Sequence, residues 1–253
     1  MMRGAFPTAA LALLLSACSV LEDRSQCPCR LSLHCGIADP KPVGLDLTSG
    51  PEVLHATFDS GEQTKTFLVQ RGTVEVVSYC GVENCRLDGN VLSIPCGSEM
   101  DPLLVCSHTV NTESENASDT LVFHKEYSTL ILVMNNLPDS PHPYAVTVES
   151  CVSAVDISES RPLSGEFSVE ALPHNGKYYV ARVPRQLDSS MKIVLSLDGE
   201  HIYDYPIGDW IEGSGYDWTA SELDDVLLEV DYLSSGITIN IGDWETEYHN
   251  WLI

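Results

Sequence analysis

Nine cysteines, eight histidines and 37 acidic residues are the side chains of this 253-residue chain from which chemistry could be built. The histidines stand at His34, His55, His108, His124, His142, His174, His201 and His249, and no two have the helical spacing of paired ligands. No Cys-x-x-Cys pair accompanies them, so the usual zinc arrangements lack their spacing and no metal is expected. No Gly-x-Ser-x-Gly elbow, phosphate loop or dinucleotide fingerprint is present, so no cofactor or small-molecule substrate is expected either. Carboxylates are plentiful, which leaves open a glycosidase-like pair assembled in space. Any single one is more simply a solvated face or a turn, and the chain reads as a non-enzyme. Asp209-Trp210, Asp217-Trp218 and Asp243-Trp244 set an acid beside an aromatic ring, as sugar-binding surfaces do. A Trp at a strand end more commonly fills a sandwich core.

One cysteine stands apart. Met1-Met2-Arg3 is followed by an apolar run ending in Leu15-Ser16-Ala17-Cys18. A short positive region, a run too short to span a bilayer well and small residues before the cut define an export signal. The cysteine directly after Leu-Ser-Ala matches the bacterial lipobox, in which the thiol takes a diacylglyceryl group and the freed amine is acylated. Residues 1–17 are therefore read as a lipoprotein signal peptide, Cys18 as the lipidated residue and residues 18–26 as a tether. Two or three acyl chains anchor stably where one does not. No later stretch is long and apolar enough to be a transmembrane helix. The acids behind Cys18 resemble the surface-export signals of Bacteroidales-type lipoproteins.

Eight cysteines remain: Cys27, Cys29, Cys35, Cys80, Cys85, Cys96, Cys106 and Cys151. An even number in an oxidising compartment points to structural disulfides or buried thiols, and 105 full pairings are possible. Cys27 and Cys29 would face the same side of a strand, which disfavours a bond between them.

Lys and Arg total 13 against 37 Asp and Glu, a net charge of −24. Such a body repels phosphate backbones, so nucleic acid is excluded as a partner, and the acidity serves solubility outside the cell.

The elements that must carry these residues repeat with a period of two. Arg30–Cys35, Lys65–Val69 and Thr73–Tyr79 alternate, and further strands are expected at Val91–Ile94, Leu103–Ser107, Leu121–His124 and Thr129–Met134. Later ones are Tyr144–Glu149, Tyr178–Val183, Lys192–Leu197, His201–Pro206, Val226–Tyr232 and Gly236–Ile241. Many short strands broken by Gly, Pro, Asn and Asp predict an all-β fold of antiparallel sandwiches. Asp198-Gly199 predicts a tight hairpin, and Asp88-Gly89 a similar turn. One helical turn is expected at Ser221–Asp225, capped by Thr219. The polar stretch His108–Asp119 divides the chain into expected sandwiches at 27–112 and 120–253, with Leu137–Pro143 as a rival boundary. Asp119-Thr120-Leu121 also fits the short O-glycosylation consensus of Bacteroidales-type exported proteins.

Cys18 through Leu33, with Glu22-Asp23-Arg24-Ser25-Gln26-Cys27-Pro28-Cys29 at its centre, resembles the start of the FimB/Mfa-type fimbrial anchor lipoproteins of Bacteroidales. The ending is similar too: Leu223-Asp224-Asp225, then Val230-Asp231-Tyr232, then Gly236–Ile241 running into Gly242-Asp243-Trp244-Glu245. The resemblance implies two tandem transthyretin-like antiparallel β-sandwiches, held by lipid in the outer membrane at the base of a surface fimbrium, or pilus, as a cell-adhesion component. Such a subunit anchors the fimbrium and limits its length through β-strand contact with a stalk subunit. By β-augmentation, Ile237, Ile239 and Ile241 form a candidate donor or edge strand, or simply the last strand of their own sheet. The tail's Tyr248, Trp251, Leu252 and Ile253 either pack back or dock on a partner. Cys35, Cys80, Cys85, Cys96 and Cys106 depart from the family pattern. The rival reading is a surface glycan-binding lipoprotein that uses the Trp-Asp pairs; a weaker third is an exported glycosidase-like enzyme.

Overall fold

Alternation governs the elements seen in a computed structural model, which describes residues 27–37, 42–135, 144–174, 178–231 and, for the backbone alone, 236–242. In chain order the strands begin with β1 (Cys29–Cys35), β2 (Val43–Ser49), β3 (Glu52–Phe58), β4 (Thr64–Val69), β5 (Thr73–Cys80), β6 (Arg86–Asp88) and β7 (Val91–Ser93). Then follow β8 (Leu104–Asn111), β9 (Asn116–Leu121), β10 (His124–Lys125), β11 (Tyr127–Asn135), β12 (Tyr144–Asp156), β13 (Arg161–Glu170) and β14 (Leu172–His174). The chain continues through β15 (Tyr178–Pro184), β16 (Lys192–Leu197), β17 (Glu200–Tyr205), helix α1 (Ile207–Gly213), β18 (Asp225–Asp231) and β19 (Gly236–Gly242).

The chain is all-β, in two antiparallel sandwiches. In the first, a three-stranded sheet ordered β4-β1-β9 faces a five-stranded sheet ordered β10-β8-β5-β2-β3. β1 shows why: Cys29, Leu31, Leu33 and Cys35 turn inward while Arg30 and His34 turn out, the period-two pattern of a half-buried strand. Leu45, Leu47, Val74, Val76 and Val110 meet them from the other sheet. In the second sandwich, a sheet ordered β14-β15-β11-β18-β19 faces one ordered β17-β16-β12-β7-β6, with β13 also on β12. β11 is apolar on both faces, as a central strand should be. Two pairings are parallel, β1 with β9 and β11 with β18.

The halves interlock. Hairpin β6–β7 comes from the first half in sequence, yet β7 pairs with β12, and Leu92, Ile94, Met100 and Leu103 are buried in the second core. Residues 116–121, which fall within the polar dividing stretch or beside it, are β9 and lie in register on β1. Arg182 on β15 holds this first-half segment against the second sandwich, with its Nε donating to the Met100 carbonyl at 2.9 Å and its guanidinium paired to Glu99.

The Asp198-Gly199 hairpin joins β16 to β17 as expected, with both residues at positive φ (51° and 82°), the backbone a two-residue primed turn requires. Two expectations are corrected. No disulfide joins the described cysteines. Cys29, Cys35, Cys80 and Cys106 are buried in the first core and Cys85 in the second, where a thiol packs as a small hydrophobe. The helical turn at Ser221–Asp225 is absent, because Asp217 takes the Thr219 N–H and hydroxyl at 2.8 and 2.6 Å. Arg185 meanwhile occupies the carbonyls of Trp218, Ala220 and Ser221, so those groups are diverted from helical bonding. The helix lies instead at Ile207–Gly213, with Ile207 and Ile211 buried one turn apart.

Candidate functional site

Among the described residues, β19 ends its sheet. β19 pairs antiparallel with β18 over seven residues, setting Ile237 opposite Val230, Ile239 opposite Leu228 and Ile241 opposite Val226. All three β18 partners are fully buried, so the ladder runs along the second core. β18 is held at its start by a polar cluster. Asp225 accepts from the Thr129 N–H at 2.8 Å and pairs with Lys125. Ser128 and Tyr216 hydroxyls both donate to the Asp224 carbonyl, at 2.8 and 2.7 Å. Burial pushes the Tyr216 hydroxyl well above its usual range, so it stays a neutral donor.

Behind this cluster sits a buried ion pair. Arg185 Nε donates to Glu126 at 2.6 Å, and Ser160 donates to the same carboxylate at 2.7 Å. Both partners of the pair are almost fully buried. Because Arg185 also ties down the 218–221 loop, it fixes the approach to β18. Helix α1 packs between β16 and β19, bridging the two sheets. Trp210 on the helix and Ile202 and Tyr203 on β17 are exposed.

The Trp-Asp pairs divide. Trp210 is 43% exposed, whereas Trp218 is 8% exposed and packs on Tyr216 with ring centroids 4.5 Å apart. Asp217 is spent on Thr219. Asp243-Trp244, Cys18 and the tail after Gly242 lie outside the described residues. Thr120 is exposed on β9, beside Asp119.

One constellation was not legible in the sequence. Cys106 Sγ lies 3.4 Å from His108 Nδ1, and His108 Nε2 lies 2.8 Å from Asp119 Oδ2. Cys106 and His108 alternate on β8, so they share a face, but only the β1–β9 pairing brings Asp119 to them. Burial pushes the Cys106 thiol up, the opposite of what a nucleophile needs. The chain of contacts therefore ties the sheets together rather than activating sulfur. Among the described residues, no three His, Cys, Asp or Glu side chains converge as a metal site. No described helix is long and apolar enough to cross a membrane.

No protein-family model matches the chain, and no curated protein matches it in sequence. Solved structures do match. A candidate polysaccharide-binding protein from Bacteroides thetaiotaomicron gives a TM-score of 0.64 at 11% identity, over 85% of this chain and 96% of that one. The fimbrial anchor protein Mfa2 from Porphyromonas gingivalis gives 0.56 at 11% identity, over 86% of this chain and 98% of that one. A candidate adhesin from B. thetaiotaomicron gives 0.58 at 13% identity, over 88% and 98%. The likeness is one of fold. It spans the length of those proteins, and none of the three is named as an enzyme.

Proposed function

We propose that this chain is a member of the FimB/Mfa-type anchor group: a lipoprotein, lipidated at Cys18, that sits in the outer membrane at the base of a surface fimbrium. It anchors the fimbrium and limits its length by β-strand contact with a stalk subunit, the strand β19 being the contact edge. Its partners are stalk subunits and, through lipid, the membrane. The observation that carries this reading is the fold likeness running over 98% of the fimbrial anchor Mfa2. The lipobox ahead of the first strand and the isoleucine-bearing edge of the second sandwich support it. The physics is that of strand addition: ladder hydrogen bonds supply affinity and alternate side chains supply register. Deletion of the gene tests it. Fimbriae shed into the medium or abnormally long agree with the reading; fimbriae of normal length on the cell contradict it.

Exposed Trp210 favours one rival, a surface glycan binder, which the polysaccharide-binding name of one structural neighbour also supports. On that reading the protein retains soluble polysaccharide, and Trp210→Ala abolishes retention while Trp218→Ala acts through stability instead.

A further inference from the structure

Natural sheets blunt their edges with brevity, Pro, bulges or inward charges, since an open edge offers a template to any other strand. Most described edges here are blunted. β10 has two residues, β6 three, and β14 three with Pro173 among them. β13 and β17 carry register shifts. β4 turns Lys65 inward to the Thr57 carbonyl, and β9 turns Asp119 toward His108. Among the edges whose side chains are described, β3 has none of these devices within its own seven residues, and Lys65 of β4 caps only the Thr57 carbonyl near its end. β3 runs seven residues in unbroken register on β2, without Lys or Pro.

The strand is also uncovered. Sheet β4-β1-β9 is two strands narrower than the sheet it faces, and β3 reaches the shared core only at its end, through Ala56 and Phe58. Val53 and Leu54 are 52% and 41% exposed, although Leu54 pairs with buried Leu47. The two-residue Gly50-Pro51 loop makes Ser49 and Glu52 the closing pair, so by alternation residues 53, 55 and 57 turn their backbone groups away from β2; of these the Thr57 carbonyl is taken by Lys65, which leaves the groups of Val53 and His55 and the Thr57 N–H. Acids flank the row: Glu52 starts the strand and exposed Asp59 follows it.

We propose that the open edge of β3 accepts an extended strand of a different protein, apolar at alternate positions and bearing a Lys or Arg near each end. A second copy of this chain fits poorly. Self-pairing brings together two rows that each carry Glu52 and Asp59 at their ends, on bodies each carrying −24, and such like-charged surfaces repel. The site lies on the first sandwich, apart from β19, and does not depend on the fimbrial reading.

The test uses the full mature chain and two peptides of alternating Thr and Val, one ended by Lys and one by Glu. Backbone amide exchange at Val53 and Thr57 should slow at least tenfold with the Lys-ended peptide, whose Kd should be at least tenfold below that of the Glu-ended one. The double variant Glu52→Lys/Asp59→Lys leaves the core untouched and should reverse the preference. Equal affinity for both peptides, protection at another edge, or dimerisation through β3 would overturn the proposal. A fimbrial anchor phenotype retained alongside such a failure would leave the function above standing.

Discussion

Arg185 carries a guanidinium into the second core, where Glu126 pairs with it and three loop carbonyls take its remaining donors. Removing one partner of such a pair strands a buried charge. Glu126→Ala is therefore expected to cost about 3–5 kcal/mol, read as a lower midpoint in chemical denaturation. Asp101 gives a pH dependence of known sign. Burial pushes its carboxyl up, but the backbone N–H groups of Glu83, Asn84 and Cys85, at 2.7 to 2.9 Å, outweigh burial and hold it below its ordinary value. A depressed folded value means stability that is fully present above the unfolded Asp value of about 4. That stability is lost as pH falls through the lower folded value. Asp101→Asn should lower stability at neutral pH and flatten this acid limb in unfolding measured from pH 6 downward. Neither partnership was legible in the sequence, since both join residues that only the folded sheets bring together.

At the scale of elements, β1 and β16 were readable because their alternation is clean, and β11 because it is a continuous apolar run. β2 and β3 were not read. Gly44 looks like a strand breaker, yet it stands opposite Tyr79, whose ring fills the space a Cβ would need, 2.5 Å away. β3 is exposed on both faces and so lacks a period to read. The β19 segment was legible as a strand, but its place at an edge follows from sheet order, which no local pattern encodes. Two variants probe it. Leu228→Ala opens a cavity beneath the ladder and should cost about 2–5 kcal/mol. Ile239→Asp sets a carboxylate opposite Leu228, and should speed amide exchange across residues 226–230 and 236–242 while leaving β1 and β5 protected.

At the scale of the molecule, the interlock between the first and second sandwiches was not legible in the sequence. The polar run His108–Asp119 reads as a linker, but β8 and β9 occupy it because pairing on β5 and β1 satisfies its backbone. Leu92, Ile94, Met100 and Leu103 from the first half are core to the second. A fragment beginning at residue 113 lacks them and is expected to give no cooperative transition in calorimetry, whereas the whole mature chain unfolds with its two sandwiches coupled.

The most direct measurement is fimbrial length and attachment in cells carrying Cys18→Ala in place of the native gene. Loss of the acylated thiol should leave the body folded but release it, with longer fimbriae recovered from the medium. Fimbriae of native length still fixed to such cells would contradict a lipid-held anchor.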